Sequence, residues 1–173
     1  MKSLQNDMLL YQAQLARGSI QRAYRGLMDY MLGLRTYLQN KYPGYSMSGS
    51  LYFGYMDMTY FSFTPKQLAD RKLKIAIVFL HEAFRFEVWL AGGNRKIQST
   101  YWQLFAESDW HQYHLVELEK GVDAIVDHIL VENPNFEDLD QLTGQIEGGT
   151  LQFVEEVSAF LSMHKVSDLS HNP

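Results

Sequence analysis

The chain has 173 residues, of which 46% are hydrophobic and 14% aromatic, and its formal net charge is −5. A chain of this length can bury about 70% of its unfolded surface, so this composition excludes intrinsic disorder. The lack of any cysteine excludes a disulfide scaffold, thiol catalysis and cysteine-ligated metal centres. The acidic balance argues against a nucleic acid as partner, because a nucleic-acid-binding surface needs a basic excess.

Length also predicts the domain organisation. At about 150 residues per domain, we expect a single domain over residues 1–165 and a disordered polar tail over residues 166–173. No signal-peptide pattern opens the chain, and its longest apolar run, residues 75–80, is far shorter than the ~20 residues of a membrane span. We therefore expect a cytoplasmic protein with no membrane partner.

The first forty residues predict two helices separated by Gly18-Ser19. Apolar residues recur at helical spacing in two rows: Leu4, Met8, Tyr11 and Leu15, then Ile20, Tyr24, Leu27, Met31, Leu34 and Leu38. Tyr42-Pro43-Gly44 ends the second helix, because a residue before proline avoids the helical conformation.

Residues 50–63 are crowded with aromatic residues and predict β-structure, either one long strand bent at Gly54 or a tight pair of strands. After it, Thr64-Pro65-Lys66-Gln67 predicts a capping box that opens a short helix, with the proline at its first position.

The clearest local pattern is a hairpin over residues 72–91. When Leu80 is placed opposite Arg85, the apolar partners fall together as Phe79/Phe86, Ile77/Val88 and Ile75/Leu90. This register predicts one wholly apolar face and one mixed face.

The rest of the chain predicts helices with one strand among them. We expect Asn94 to cap a helix and residues 110–116 to form a short edge strand. Residues 122–130 predict an amphipathic helix, and a final helix is predicted to be kinked or split at Gly148-Gly149. The order of elements predicts an α+β fold: a mainly antiparallel sheet of four to five strands with helices packed on it.

The mixed hairpin face carries the candidate site. Arg85, Glu87 and Trp89 alternate along one strand and so project together, and Asp57 and Tyr60 come near if their strand lies alongside. One interpretation is a ligand pocket in which the arginine holds an anion. The other is an Arg85–Glu87 ion pair on a solvated face, with Trp89 as a partial lid.

We expect a non-catalytic domain that binds a small ligand or a protein partner at these five residues. The alternative is a metal-dependent hydrolase or nuclease that uses Asp57 and Glu87, although the lysine this chemistry places two residues later is here Trp89. Because the histidines lack metal-ligand spacing, we predict no metal site and no cofactor.

Seven aromatic residues lie within residues 45–63, and they form part of a core, the wall of a ligand pocket or the surface of a homodimer.

A family resemblance extends from about Leu15 to Leu161. It rests on Gly26-Leu27-Met28, Gly33-Leu34-Arg35-Thr36-Tyr37, Lys41-Tyr42-Pro43, Gly54-Tyr55-Met56-Asp57-Met58-Thr59-Tyr60-Phe61, Arg71-Lys72-Leu73-Lys74-Ile75-Ala76-Ile77 and Arg85-Phe86-Glu87-Val88-Trp89-Leu90-Ala91-Gly92. These segments resemble an uncharacterised bacterial family that is a domain of unknown function. The resemblance implies a stand-alone bacterial protein and brings no activity, cofactor or catalytic residue.

Overall fold

The computed structural model describes residues 3–164, and the predicted polar tail lies outside the described residues. The chain divides into two compact units, Met1–Tyr37 and Leu38–Pro173. Over the described part of the chain, no helix is both long enough and apolar enough to cross a membrane.

Two helices open the chain, as predicted: α1 (Leu4–Leu15) and α2 (Ser19–Lys41). The Ser3 hydroxyl accepts a hydrogen bond from the Asn6 amide at 3.3 Å and so caps α1. Gly18 separates the helices with a φ of +72°, a conformation that costs glycine little. The apolar row of α1 is exposed, since this helix buries none of its residues.

A six-stranded sheet in the order β1-β2-β3-β4-β6-β5 forms the centre of the second unit, where four to five strands were expected. Its strands are β1 (Tyr45–Met47), β2 (Met58–Pro65), β3 (Leu73–Leu80), β4 (Arg85–Gly92), β5 (His114–Leu115) and β6 (Ala124–Glu132). All neighbouring pairs are antiparallel, which confirms the α+β class.

The aromatic segment before β2 forms a tight turn rather than one bent strand. Tyr52 and Tyr60 pair in an isolated bridge, and Gly54 turns the chain between them with a φ of +65°. A side chain at Gly54 would place its Cβ 2.2 Å from the Met58 carbonyl oxygen, so only glycine fits there.

The predicted capping box after β2 is wrong. The Thr64 hydroxyl accepts a hydrogen bond from the Ile75 amide at 3.0 Å across the sheet, so it does not cap the helix. Pro65 is itself the N-cap residue of the short helix α3 (Lys66–Ala69). Pairing with β3 therefore takes the hydroxyl that the local motif assigned to the helix.

The hairpin β3–β4 has the predicted register, with Leu80 opposite Arg85 and Phe79 opposite Phe86. Asn94 caps α4 (Arg95–Glu107), again as predicted, by accepting from the Ile97 amide at 2.9 Å.

Residues 122–130 are not helical, and this prediction is wrong. Most of the segment belongs to β6, which pairs with β4 along its length. Two register shifts leave Ile125 and Leu130 without opposite residues on β4. Each bulge adds one residue to the strand and so interrupts the alternation of its side chains between the two faces of the sheet. The apolar residues of the segment then have a spacing that resembles that of an amphipathic helix.

The last helix, α5 (Leu139–Met163), continues through Gly148 and Gly149 as one element. Helices α4 and α5 pack together, with the rings of Phe105 and Phe160 stacked at 4.6 Å. They cover one face of the sheet, and the shared core contains Ile75, Val88, Leu90, Val126, Phe153 and Val157 from strands and helix. The opposite face carries the alternating residues of the same strands.

Candidate functional site

The face of the sheet opposite α4 and α5 is called the open face here. Strand pairing places side chains in rows across it: Tyr60, Val78, Glu87 and Ile129 in one row, and Ala76, Trp89, Asp127 and His114 in the next. Arg85 begins the neighbouring row. The predicted trio of Arg85, Glu87 and Trp89 therefore does share one face.

Glu87 is the centre of this trio, and only 3% of its surface is exposed. Arg85 donates from Nε to Glu87 Oε1 at 2.6 Å, and its Nη2 lies 2.6 Å from the same oxygen. Trp89 donates from Nε1 to Glu87 Oε2 at 2.6 Å. We call this arrangement the Glu87 clamp, because one buried carboxylate holds the side chains on both sides of it.

The clamp limits the chemistry of its members. A buried carboxylate that accepts charge-assisted bonds is stabilised by them, and losing a partner costs several kcal/mol. Since both Glu87 oxygens are occupied, the carboxylate orders Arg85 and Trp89. Arg85 keeps 32% of its side chain exposed, and among the described residues its polar side-chain contacts are to Glu87.

Tyr60 and Asp57 lie on the far side of β3 from the clamp. Neighbouring strands are about 4.8 Å apart, so β2 lies about 10 Å from β4. The Tyr60 ring stacks on Tyr52 at a centroid distance of 4.8 Å, and burial raises the pKa of its hydroxyl. The structure thus places Tyr60 on the open face without contact to Glu87.

Asp57 belongs to the turn before β2. Its Oδ1 accepts from the Tyr55 amide at 2.8 Å. Hydrogen bonds from the backbone amides of Met58 and Tyr55 lower the pKa of this exposed carboxyl. Asp57 stabilises its own turn and is not brought together with Glu87.

A groove of about 580 Å³ opens beside the clamp, on the side away from β3. It is lined by residues of β4, β6 and the segment before β5: Arg85, Glu87, His111, Gln112, Tyr113, His114, Asp127, His128 and Ile129. His114 Nδ1 lies 2.8 Å from Asp127 Oδ1 across the strand pair, and both residues line the groove.

The groove exists because β5 is only two residues long. Strand pairing to β6 stops at His114, so residues 111–113 form no ladder with β6, although the Tyr113 ring lies 4.6 Å from that of His128. Tyr113 anchors this departing segment, since its hydroxyl donates to the Glu156 carboxylate on α5 and Trp110 donates to its carbonyl at 3.2 Å. Burial is the largest cause that raises the pKa of Tyr113, and the Tyr113 hydrogen bond lowers the pKa of Glu156.

Sequence reasoning missed the outer wall of the groove. His114 and Asp127 are thirteen residues apart and meet only because β5 pairs with β6. The predicted helix over residues 122–130 hid this pairing, and with it the position of His128 on a strand. Asp127 and His128 are adjacent within an otherwise apolar segment, so no local pattern indicated this pairing.

Within residues 3–164, no group of three or more histidine, aspartate or glutamate side chains is placed to hold a metal ion. Asp57 lies two strand spacings from Glu87 across the sheet and three residues beyond it along the strands, which is about 14 Å in all. Each of these two carboxylates, considered for metal-dependent hydrolysis, accepts hydrogen bonds from its own neighbours. What the groove offers a ligand is a positioned guanidinium, three imidazoles and a tyrosine ring.

Comparison with known proteins places the chain in a family. The family model of a domain of unknown function, DUF7000, matches residues 4–161 and confirms the resemblance found in the sequence. No curated protein and no solved structure matches the chain. Because the match spans nearly the whole sequence, this chain belongs to the DUF7000 family, a domain of unknown function.

Proposed function

We propose that this chain is a non-catalytic, cytoplasmic binding protein whose groove beside the Glu87 clamp takes a small ligand carrying a carboxylate or phosphate group. The observation that carries the proposal is the clamp itself. Its carboxylate is buried and its arginine is one-third exposed at the groove wall. A fixed arginine of this kind is the side chain best suited to bidentate recognition of a planar or tetrahedral anion.

Preorganisation is the physical advantage of this arrangement. A free arginine loses up to about 2 kcal/mol of side-chain entropy when it is ordered on a ligand. Here folding has already ordered it, because two contacts to Glu87 fix the guanidinium plane. The guanidinium presents five N–H donors, and Arg85 lines the groove with donors beyond those that contact Glu87.

The groove supports a small ligand rather than a large one. Its volume of about 580 Å³ falls within the usual range of about 300–1,000 Å³ for small-molecule sites. The acidic net charge of −5 supports the exclusion of nucleic acids as ligands. The lack of cysteine fits a reducing compartment as well as any other, and the cytoplasm is the simplest location.

The experiment is a thermal-shift and calorimetry screen with phosphate, pyrophosphate, succinate and citrate as probes and putrescine as a cationic control. A ligand present at about 100 times its dissociation constant stabilises the fold by about 2.7 kcal/mol. We expect stabilisation by at least one anion and none by putrescine.

Two variants and one control assign any binding to the groove. Arg85→Gln removes the guanidinium, and Gln112→Trp places a large side chain in the groove from an exposed position outside the clamp. Lys74→Gln removes an exposed cation that lies outside the groove. The proposal predicts loss of binding in the first two and normal binding in the third. Binding that survives Gln112→Trp, or a complete lack of response to the anions, would refute it.

A further inference from the structure

Helix α1 leaves its apolar side chains in solvent. None of its residues is buried, and five large apolar side chains are 51% to 77% exposed: Leu4, Met8, Leu9, Leu10 and Tyr11. Monomeric proteins rarely expose a contiguous apolar patch above a few hundred Å². This helix therefore has the surface of an interface element rather than that of a solvated one.

Four of the apolar residues of α1 form a seam along one side of the helix. Leu4, Met8, Tyr11 and Leu15 follow each other at spacings of four, three and four residues, which is the pattern of the contact positions in a coiled coil. A shallow groove follows the same side of the helix and is lined by Gln5, Met8, Leu9, Tyr11, Gln12 and Leu15. A second helix packed along this seam would cover most of it.

The charges of α1 identify the kind of partner. Asp7 is the only charged residue among the twelve of the helix. Helices that lie on membrane surfaces carry lysine or arginine on their polar face, and α1 has neither. The helix likewise offers no charge pattern that a strongly charged peptide would complement.

We propose that two copies of this chain associate through α1, with the two helices packed antiparallel along the seam. This alignment places Leu4 opposite Leu15 of the second copy and Met8 opposite Tyr11. Asp7 then faces a glutamine of the second helix, so that no like charges meet. The opposed helix dipoles add a small favourable contribution.

The available area supports a weak, reversible dimer. The exposed apolar surface of the seam and its flanks is on the order of 500 Å² per copy. Two copies would bury about 1,000 Å² together, which is the lower limit for a specific interface. We therefore expect dissociation in the micromolar range.

The test is sedimentation velocity of the full chain from about 2 to about 200 μM, the range in which an interface of this size dissociates. Met8→Glu places a charge at the centre of the seam, whereas Leu10→Glu places the same charge on an exposed leucine outside it. We expect Met8→Glu to weaken dimerisation at least about tenfold. Leu10→Glu should leave it within about twofold of the unmodified chain.

Three other outcomes would overturn the proposal of a dimer through α1. These are a monomer at every concentration, an equal effect of the two substitutions, and a dimer that Met8→Glu does not weaken. A monomer that instead binds vesicles of phosphatidylcholine and phosphatidylglycerol, and loses this binding with Met8→Glu, would assign α1 to a membrane surface. Because α1 buries none of its residues, both variants should fold, and circular dichroism checks this.

Discussion

Two adjacent glycines in the middle of α5 make a matched test of how this helix meets the sheet. Glycine in a helix interior is about 1 kcal/mol less favourable than alanine. A Cβ at Gly148 would meet nothing within 4 Å, whereas a Cβ at Gly149 would lie 2.7 Å from Leu130 Cδ2 on β6. We expect Gly148→Ala to stabilise the fold by about 1 kcal/mol.

At Gly149 the same gain in stability is offset by the contact with Leu130. Leu130 must leave its preferred rotamer to admit the new methyl group, at a cost of about 0.5–1.5 kcal/mol. Gly149→Ala should therefore change the stability by no more than about 0.5 kcal/mol in either direction. In a Leu130→Ala background the obstacle is absent, so adding Gly149→Ala should then stabilise by about 1 kcal/mol.

Urea unfolding measures all four variants, and equal m-values show that only stability has changed. The difference of about 1 kcal/mol between the two single variants exceeds the usual error of a shift in the midpoint. Equal stabilisation by both alanines would show that α5 does not pack on Leu130. A destabilising Gly148→Ala would show that the helix is interrupted at the glycine pair.

Three further predictions concern other parts of the fold. Gly92→Ala should destabilise by about 2–3 kcal/mol in urea unfolding, because its Cβ would lie 2.5 Å from the backbone nitrogen of Gln98; an unchanged midpoint would contradict this close approach. Tyr113→Phe removes the hydrogen bond that lowers the pKa of Glu156. This substitution should lower the free energy of unfolding by about 1 kcal/mol at pH 7. The loss should become smaller as the pH falls below the ordinary glutamate value of 4.5, because Glu156 is then protonated. A cost that does not change with pH would refute the link. Burial lowers the pKa of His81 below its ordinary value of 6.5, so the unfolded chain binds the proton more tightly and stability should fall as the pH drops below 6.5. His81→Gln should flatten this part of the pH profile, and an unaltered profile would contradict the assignment.

The parts of the fold that could be predicted from the sequence are those set by near neighbours. The β3–β4 hairpin has the predicted register because pairing Leu80 with Arg85 brings an apolar set onto one face. Asn94 caps α4 for an equally local reason, since its side chain bonds the Ile97 amide. Both depend on residues close in sequence.

Contacts between distant residues explain the errors. The hydroxyl of Thr64 fits a capping box, yet Ile75 from the next strand takes it. The spacing of residues 122–130 fits a helix, yet Ile125 and Leu130 occupy bulges in a strand that pairs with β4. In both cases the sheet overrides a valid local preference, and local patterns do not report which strands are neighbours.

The candidate site divides in the same way. The Glu87 clamp joins residues two positions apart on one strand, so alternation alone predicts that Arg85, Glu87 and Trp89 project together. The opposite wall depends on the pairing of His114 with Asp127 and on the short length of β5. Neither feature has a signature within a window of neighbouring residues.

The early end of β5 also bears on fibril formation. In the described part of the chain, residues 128–132 of β6 have no strand on their outer side, and such an edge is a template on which the strand of another chain can grow. The extra residue at Leu130 counters this by bending the edge, and the carboxylate of Glu132 ends it with a charge. Removing Leu130 from the chain would remove this bend and leave an edge that pairs more readily with a strand of another chain.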